Sequence, residues 1–213
     1  MDTRRRIIEA TARLVAEGGI EAASTRAVSA AAGVQAPTLY RLFGDKQGLL
    51  DAVAQHGFDT YLASKQAQLE TDDPLADVAR GWDLHVSFGL EHPGLYVLMY
   101  GGGRPQPPEG RSILAAMLGR AAAAGRLRVP VETAVEVVSA ASVGTTLRLI
   151  AESDPDLSAR VRDRVLAAIS TDAPSDGLTA HAVALRAALQ ERPQLLGEAE
   201  TGLMLAWLDR VSS

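Results

Sequence analysis

The sequence predicts an all-α protein, with a small N-terminal three-helix domain carrying a helix-turn-helix and a larger helical body behind it. Three observations predict this. Apolar residues recur at helical spacing along most of the chain, and no stretch sustains the alternation of a strand. Gly, Pro and short polar clusters fall between the periodic runs, where helices end. The charge is also unevenly divided. The chain of 213 residues carries a net −5, yet residues 1–50 hold 7 Lys/Arg against 5 Asp/Glu (+2), while residues 51–213 hold 14 against 21 (−7). A small basic head on an acidic body suits a protein that meets a polyanion at one end only. The acidic body does not prevent this, because screening confines its field to within about 10 Å.

The first predicted helix runs from Thr3 to Glu17, with Ile7, Ala10, Thr11, Leu14 and Gly18 at helical spacing. Arg4, Arg5 and Arg6 stand at its N-terminal end, where positive charge opposes the helix dipole. A phosphate partner accounts for that placement, and so does a solvated helix end. Gly18-Gly19 ends the helix, and Ile20 and Ala22 pack the connection that follows.

Ser24 to Lys46 is the most informative stretch. Ser24 is placed as an N-cap for a helix starting at Thr25 or Arg26. Ala27, Val28, Ala30, Ala31 and Ala32 are compact and admit a close neighbour. Gly33 ends that helix in the left-handed conformation that glycine adopts without a Cβ penalty, and Val34 plugs the turn. Pro37 falls in the first turn of the next helix, Ala36 to Leu42, where its missing N–H does no harm. Leu39 and Phe43, at i and i+4, anchor this two-turn helix. Gln35, Thr38, Tyr40, Arg41 and then Lys46 are left facing outward, as in a helix that enters the major groove of DNA.

These residues resemble the N-terminal domain of the TetR family of bacterial transcriptional regulators. The resemblance rests on Thr25, Ala32, Gly33, Val34, Thr38, Leu39, Tyr40, Phe43, Lys46 and Leu49 at the family's spacing. Two positions depart from it: Ser29 stands where Ala is usual, and Leu42 where His or Tyr is usual. The resemblance implies a homodimer on a double-stranded DNA operator, contacted through Ser24, Thr25, Arg26, Gln35, Ala36, Pro37, Thr38, Tyr40, Arg41 and Lys46. In that reading Thr38, Tyr40 and Lys46 hold phosphates, and Arg26 holds a phosphate or a base edge. Gln35, Ala36, Pro37 and Arg41 face the groove, with Ala36 and Pro37 limited to apolar contact such as with a thymine methyl. The implied division is a DNA-binding domain over residues 1–60 and a ligand-binding and dimerisation domain over residues 61–213.

Asp45 or its neighbour caps a fourth helix that reaches about Ala67, with Leu49, Leu50, Val53, Gly57, Tyr61 and Leu62 as its apolar stripe. Lys46 and the free N–H groups at its start together suit a phosphate. Leu69 to Pro74 is a polar break. Helices follow over Leu75–Glu91, stopped by His92-Pro93, and over Gly94–Tyr100. The loop-like run from Gly101 to Gly110 lacks the Gly-Lys-Ser/Thr of a phosphate-binding loop. Further helices are predicted at Arg111–Ala124, Val131–Glu152, Asp156–Ser170, Gly177–Glu191 and Leu195–Val211.

Two parts of the body invite function. Trp82, His85, Gly89 and His92 are spaced to share a helical face. Aromatics are scarce at 4%, yet four of the nine Phe, Trp and Tyr lie between Trp82 and Tyr100. Taken singly, each is best explained as core. Together Trp82, His85, Phe88, His92, Tyr96, Met99 and Tyr100 suit a pocket for a small apolar or amphipathic effector, with Met117, Thr145 and Arg148 from later helices completing the lining. The family resemblance places a pocket in the same region. The second part is the late helices. Val135, Val138, Ala141, Ser142 and Thr145 on one, and Leu203, Ala206, Trp207 and Arg210 on the last, are either core or the two-fold helical bundle that the resemblance implies.

Zero cysteines exclude disulfides, thiolate metal sites and thiol redox sensing. No uninterrupted apolar run reaches the roughly 18 residues of a membrane span, and Glu9 and Arg13 interrupt what an export signal would need. A cytoplasmic protein without a membrane partner, cofactor or metal is expected. His85 and His92, seven residues apart, lie two helical turns from each other, too far for one ion. Asp72/Asp73 and Asp154/Asp156 sit in polar breaks beside prolines as caps, and no nucleophile elbow occurs, so catalysis is not expected. The competing class is a helical binding or scaffold protein whose DNA-reading head has lapsed, with a helical enzyme a distant third.

Overall fold

The computed structural model describes residues 2–66, 71–101, 107–171 and 178–212. Within them the chain forms eleven α-helices, one 3-10 turn (Pro193–Leu195) and one isolated antiparallel bridge between Leu127 and Ser170. The helices are α1 (Thr3–Ala22), α2 (Thr25–Ala32), α3 (Ala36–Phe43), α4 (Lys46–Gln66), α5 (Pro74–Glu91) and α6 (Pro93–Tyr100). They continue as α7 (Pro108–Ala123), α8 (Val131–Ala151), α9 (Leu157–Ile169), α10 (Leu178–Glu191) and α11 (Glu198–Ser212).

The predicted all-α class is the observed one, and most ends lie where capping chemistry puts them. Asp2 caps α1 through the Arg4 amide at 3.2 Å, and the break at Gly18-Gly19 is real, with Gly19 at φ 70°. Helical hydrogen bonding nevertheless resumes beyond the pair to Ala22. Five starts differ from expectation, α5 and α6 by beginning one residue early at Pro74 and Pro93. α7 begins at Pro108 rather than Arg111, because proline is at home in a first turn. α11 begins at Glu198 rather than Leu195, which lies in the 3-10 turn. α9 begins at Leu157, beside Asp156. The expected end of the fourth helix at Ala67, the start at Gly177, Leu69 and Glu70 of the polar break, and residues 102–106 of the long loop lie outside the described residues.

Two compact units account for the chain. The first comprises residues 1–68, 85–107 and 146–153, so α1 to α4 are joined by the end of α5, by α6 and by the end of α8. Its core is built from Ile7, Val15, Val28, Leu39, Val53, Phe58, Tyr96 and Met99, all buried. α6 packs against both α1 and α4.

The second unit comprises residues 69–84, 108–145 and 154–213. α10 packs on α7 and on α11, with Ala182, Leu189 and Leu208 at the latter contact. Arg186 on α10 ties in Glu132 of α8 at 2.9 Å and Asp209 of α11 at 2.7 Å. Asp77 on α5, only 3% exposed, accepts the Thr71 hydroxyl at 2.7 Å and the Thr71 amide at 3.1 Å, and pairs with Arg120 at 2.9 Å and with Arg80. Burial by itself pushes the Asp77 carboxyl up. The Thr71 and Arg120 hydrogen bonds and the Arg80 charge outweigh it and hold the group at about 2.

α8 is long and apolar enough, by length and composition, to cross a membrane. Its buried residues Ala134, Val135, Val138, Ser142, Thr145, Thr146 and Leu149 instead recur at the three-to-four spacing of a helix with one packed face.

Candidate nucleic-acid interface

The reading head is assembled by local chemistry. Ser24 accepts the Ala27 amide at 3.2 Å and caps α2. Gly33 closes α2 at φ 62°, ψ 42°, with its own N–H on the Ala30 carbonyl and the Val34 N–H on the Ser29 carbonyl at 3.0 Å. This paired arrangement is the Schellman ending, and it needs the left-handed residue that glycine supplies. α3 then starts without a side-chain cap, with Pro37 in its first turn. Gln35, at the cap position, makes no side-chain cap bond and is exposed.

α3 divides as predicted. Leu39 is 5% exposed, and Leu42 and Phe43 pack against the core. Gln35, Pro37, Tyr40 and Arg41 are exposed, Tyr40 at 53%, while Ala36 and Thr38 are half-buried. Leu42, which departs from the family pattern, is thus occupied inside the head. The Asp45 carboxylate accepts the Gly48 amide at 2.8 Å and caps α4. Thr25, Tyr40, Asp45 and Lys46 line one crevice, floored by Ala23, Leu39 and Leu49. Hydroxyl-bearing residues and a lysine thus line the crevice beside the start of a helix, together with the Asp45 carboxylate that caps it. Hydroxyls and an ammonium are the groups that charge-assisted bonds to a phosphate use. Ser24 and Arg26 are exposed.

The arginine run has partners of its own. Arg4 places its guanidinium 5.0 Å from the centroid of the Phe43 ring, at the end of α3, a cation–π distance. Arg5 pairs with Glu9 at 2.8 Å. Ser29 is also informative. Its hydroxyl oxygen is buried with no hydrogen-bond partner among the described residues, beneath a depression lined by Ala30, Gly33, Val34 and Gln35.

The predicted effector residues fall in both units. In the first unit, His85, Phe88, Tyr96, Met99 and Tyr100 come together. The Tyr96 and Tyr100 rings stack at 4.5 Å, and the His85 ring meets each of them edge-on at 5.4 and 5.5 Å. His92 is not on a shared helical face, because α5 ends at Glu91. It is exposed and rests its ring 5.0 Å from Phe88. Arg148 is 61% exposed and pairs with Glu152 at 2.5 Å. Trp82, Met117 and Thr145 belong to the second unit. There Trp82 is buried and donates its indole N–H to Ser158 at 3.1 Å. Tyr61 and Thr146, which sequence reasoning did not single out as site residues, join the first cluster. The signal for Tyr61 was available, since it is a hydroxyl on an otherwise apolar stripe.

Comparison with known proteins agrees with the geometry. The family model described as bacterial regulatory proteins, tetR family, matches residues 7–53. A TetR-family transcriptional regulator from Haemophilus influenzae is similar in structure, with 21% identity and a TM-score of 0.59 over 80% of this chain and 97% of that one. A TetR variant from Acinetobacter baumannii in complex with minocycline has 23% identity and a TM-score of 0.60 over 76% and 93% of the two chains. The ketosteroid transcriptional regulator KstR2 of Mycobacterium tuberculosis has 18% identity and a TM-score of 0.53 over 80% and 96%. At these identities the likeness establishes the fold.

Proposed function

This chain carries the helix-turn-helix domain of the bacterial tetR family on a TetR-like fold, and on that premise we propose a cytoplasmic transcriptional repressor. It reads a two-fold symmetric operator as a homodimer and leaves it when a small apolar or amphipathic effector binds. The observation that carries the reading is the division of α3. Leu39 is buried while Gln35, Pro37, Tyr40 and Arg41 stand out, and Lys46 shares a crevice with Thr25 and Tyr40. Thr38, Tyr40 and Lys46 hold phosphates in this reading, and Arg26 holds a phosphate or a base edge. Gln35, Ala36, Pro37 and Arg41 meet base edges.

A two-turn helix reads few bases, so useful specificity needs a second copy one helical turn away. Exposed apolar side chains on the late helices support a surface for that copy. Leu185 on α10 is 46% exposed, and on α11 Leu203, Trp207 and Val211 are 51%, 51% and 40% exposed at i, i+4 and i+8. On α8 the side chains Val135, Val138, Ser142 and Thr145, considered for this surface from sequence, are buried within the chain. The effector is assigned to the first-unit cluster of His85, Phe88, Tyr96, Met99 and Tyr100.

The test is retention of DNA from the chain's own promoter region, with footprinting. The expected result is a two-fold symmetric footprint with affinity falling steeply as salt rises. Lys46→Ala should weaken all sequences alike. Arg41→Ala should cost roughly 1–3 kcal/mol and relax preference at one position. A footprint without symmetry overturns the dimer, and unchanged binding by Lys46→Ala overturns the phosphate role.

A further inference from the structure

Four polar side chains cross the apolar core of the first unit in one connected line. The Tyr61 hydroxyl on α4 lies 2.7 Å from Nδ1 of His85 on α5. Nε2 of His85 lies 2.6 Å from the Tyr96 hydroxyl on α6. That hydroxyl is in turn hydrogen-bonded to Thr146 on α8. Tyr61, His85, Tyr96 and Thr146 are 3%, 7%, 0% and 0% exposed. Burial pushes the ionisation of both tyrosines far above the usual range, so their hydroxyls stay protonated. A neutral imidazole gives a proton through one nitrogen and takes one through the other. Its two tyrosines therefore play opposite roles, and the line has a direction from α8 to α4 or the reverse.

Such a line is poorly suited to partial formation. Each bond lost along the line is lost between buried groups, which is costly in a medium without water. Apolar contacts alone tolerate small slips and rotations between helices. Hydrogen bonds at these distances do not, because they weaken steeply with misalignment. α4 is where this matters most. It carries Lys46 at one end, and it packs closely on α6, where a Cβ at Gly57 would meet the Met99 sulfur at 2.8 Å and Leu95 at 3.0 Å.

We propose that the line Tyr61–His85–Tyr96–Thr146 is a positioning device that sets the rotation and register of α4, and so places Lys46 for the DNA phosphate. The inference rests on the DNA-binding reading. With no effector bound, the role of these groups is placement rather than stability, since replacing all the partners of a buried polar set by apolar groups of similar shape is often neutral.

That distinction supplies the test, made on the full chain. His85→Phe takes one hydrogen-bond partner from each of two buried tyrosine hydroxyls, and it should lower both the unfolding temperature and the affinity for promoter DNA. The triple variant Tyr61→Phe, His85→Phe, Tyr96→Phe removes the polar set, while Thr146 can turn to a carbonyl of its own helix. It should regain the thermal stability of the parent chain yet bind DNA about tenfold more weakly. Its log–log salt slope should be shallower by about 0.9 for each phosphate that Lys46 no longer neutralises. Tyr61→Phe alone keeps the ring packing and severs only the α4 end, so it should show the same weakening and the same slope change. Parent-like affinity and slope in Tyr61→Phe, or in a stable triple variant, overturn the inference and leave the line as core packing. Failure of the parent chain to retain any promoter-region DNA overturns the DNA-binding reading instead, and this inference with it.

Discussion

Ser29 shows how much one side chain can disclose. Its hydroxyl is buried without a partner, a state that costs about 1–3 kcal/mol for a hydroxyl, and the family pattern has Ala there. Ser29→Ala should raise stability by roughly 1 kcal/mol and leave DNA affinity unchanged, as denaturant titration and DNA retention together would show. A drop in affinity at unchanged stability would mean that the hydroxyl meets DNA instead. Asp77 makes the opposite case, a buried carboxylate held by several donors at once. Its folded value near 2 lies below the ordinary 3.8. The stability it contributes is therefore fully present above the ordinary value and is lost as pH falls from about 4 towards about 2. Thermal unfolding across that window should show a steep decline, and Asp77→Asn should flatten it while lowering the plateau at neutral pH.

Between elements, small side chains decide how closely backbones meet. A Cβ at Gly48 would sit 2.1 Å from the Phe43 carbonyl oxygen, so only glycine lets the start of α4 close on the end of α3. Gly48→Ala should destabilise the head by about 1–3 kcal/mol. The gain in helix propensity, up to about 1 kcal/mol, is too small to offset a clash with backbone. Because Tyr40 and Lys46 line one crevice across that junction, the same change should weaken binding to every DNA sequence alike. Unchanged melting and unchanged affinity would show that the junction is slack. Arg4 over Phe43 reinforces the far side of the same helix end, where a cation also faces the negative pole of α3.

At the scale of the whole molecule, the exposed stripe on α11 makes a quantitative claim. Covering a half-exposed large apolar side chain contributes about 1–2 kcal/mol, and two-fold pairing would cover Leu203, Trp207 and Val211 twice. Leu203→Glu should shift the protein from dimer to monomer in sedimentation and abolish the symmetric footprint. The reading head, whose core lies in the other unit, should melt as before. A dimer that survives Leu203→Glu and Trp207→Glu together would place the two-fold surface elsewhere.

The sequence by itself determined whatever is settled within a turn or two of chain. Ser24 and Asp45 as caps, Gly33 as a left-handed ending, Pro37 in a first turn and Leu39 as the inward residue of α3 were all legible, because each depends on neighbours three or four positions away. Periodicity also showed which face of each helix is apolar. It could not show what that face meets. Trp82 and His85 read as one group, but only three residues apart they bond to Ser158 and to Tyr61 and Tyr96. His92 lies beyond the Glu91 end of α5 that the His92-Pro93 pair already marked, and Arg148 turned to Glu152. Nothing within the local sequence pairs Asp77 with Arg120 or Tyr61 with His85. Those partners are chosen by how whole helices pack, and a face that is apolar at helical spacing is compatible with many packings until buried hydrogen bonds select one.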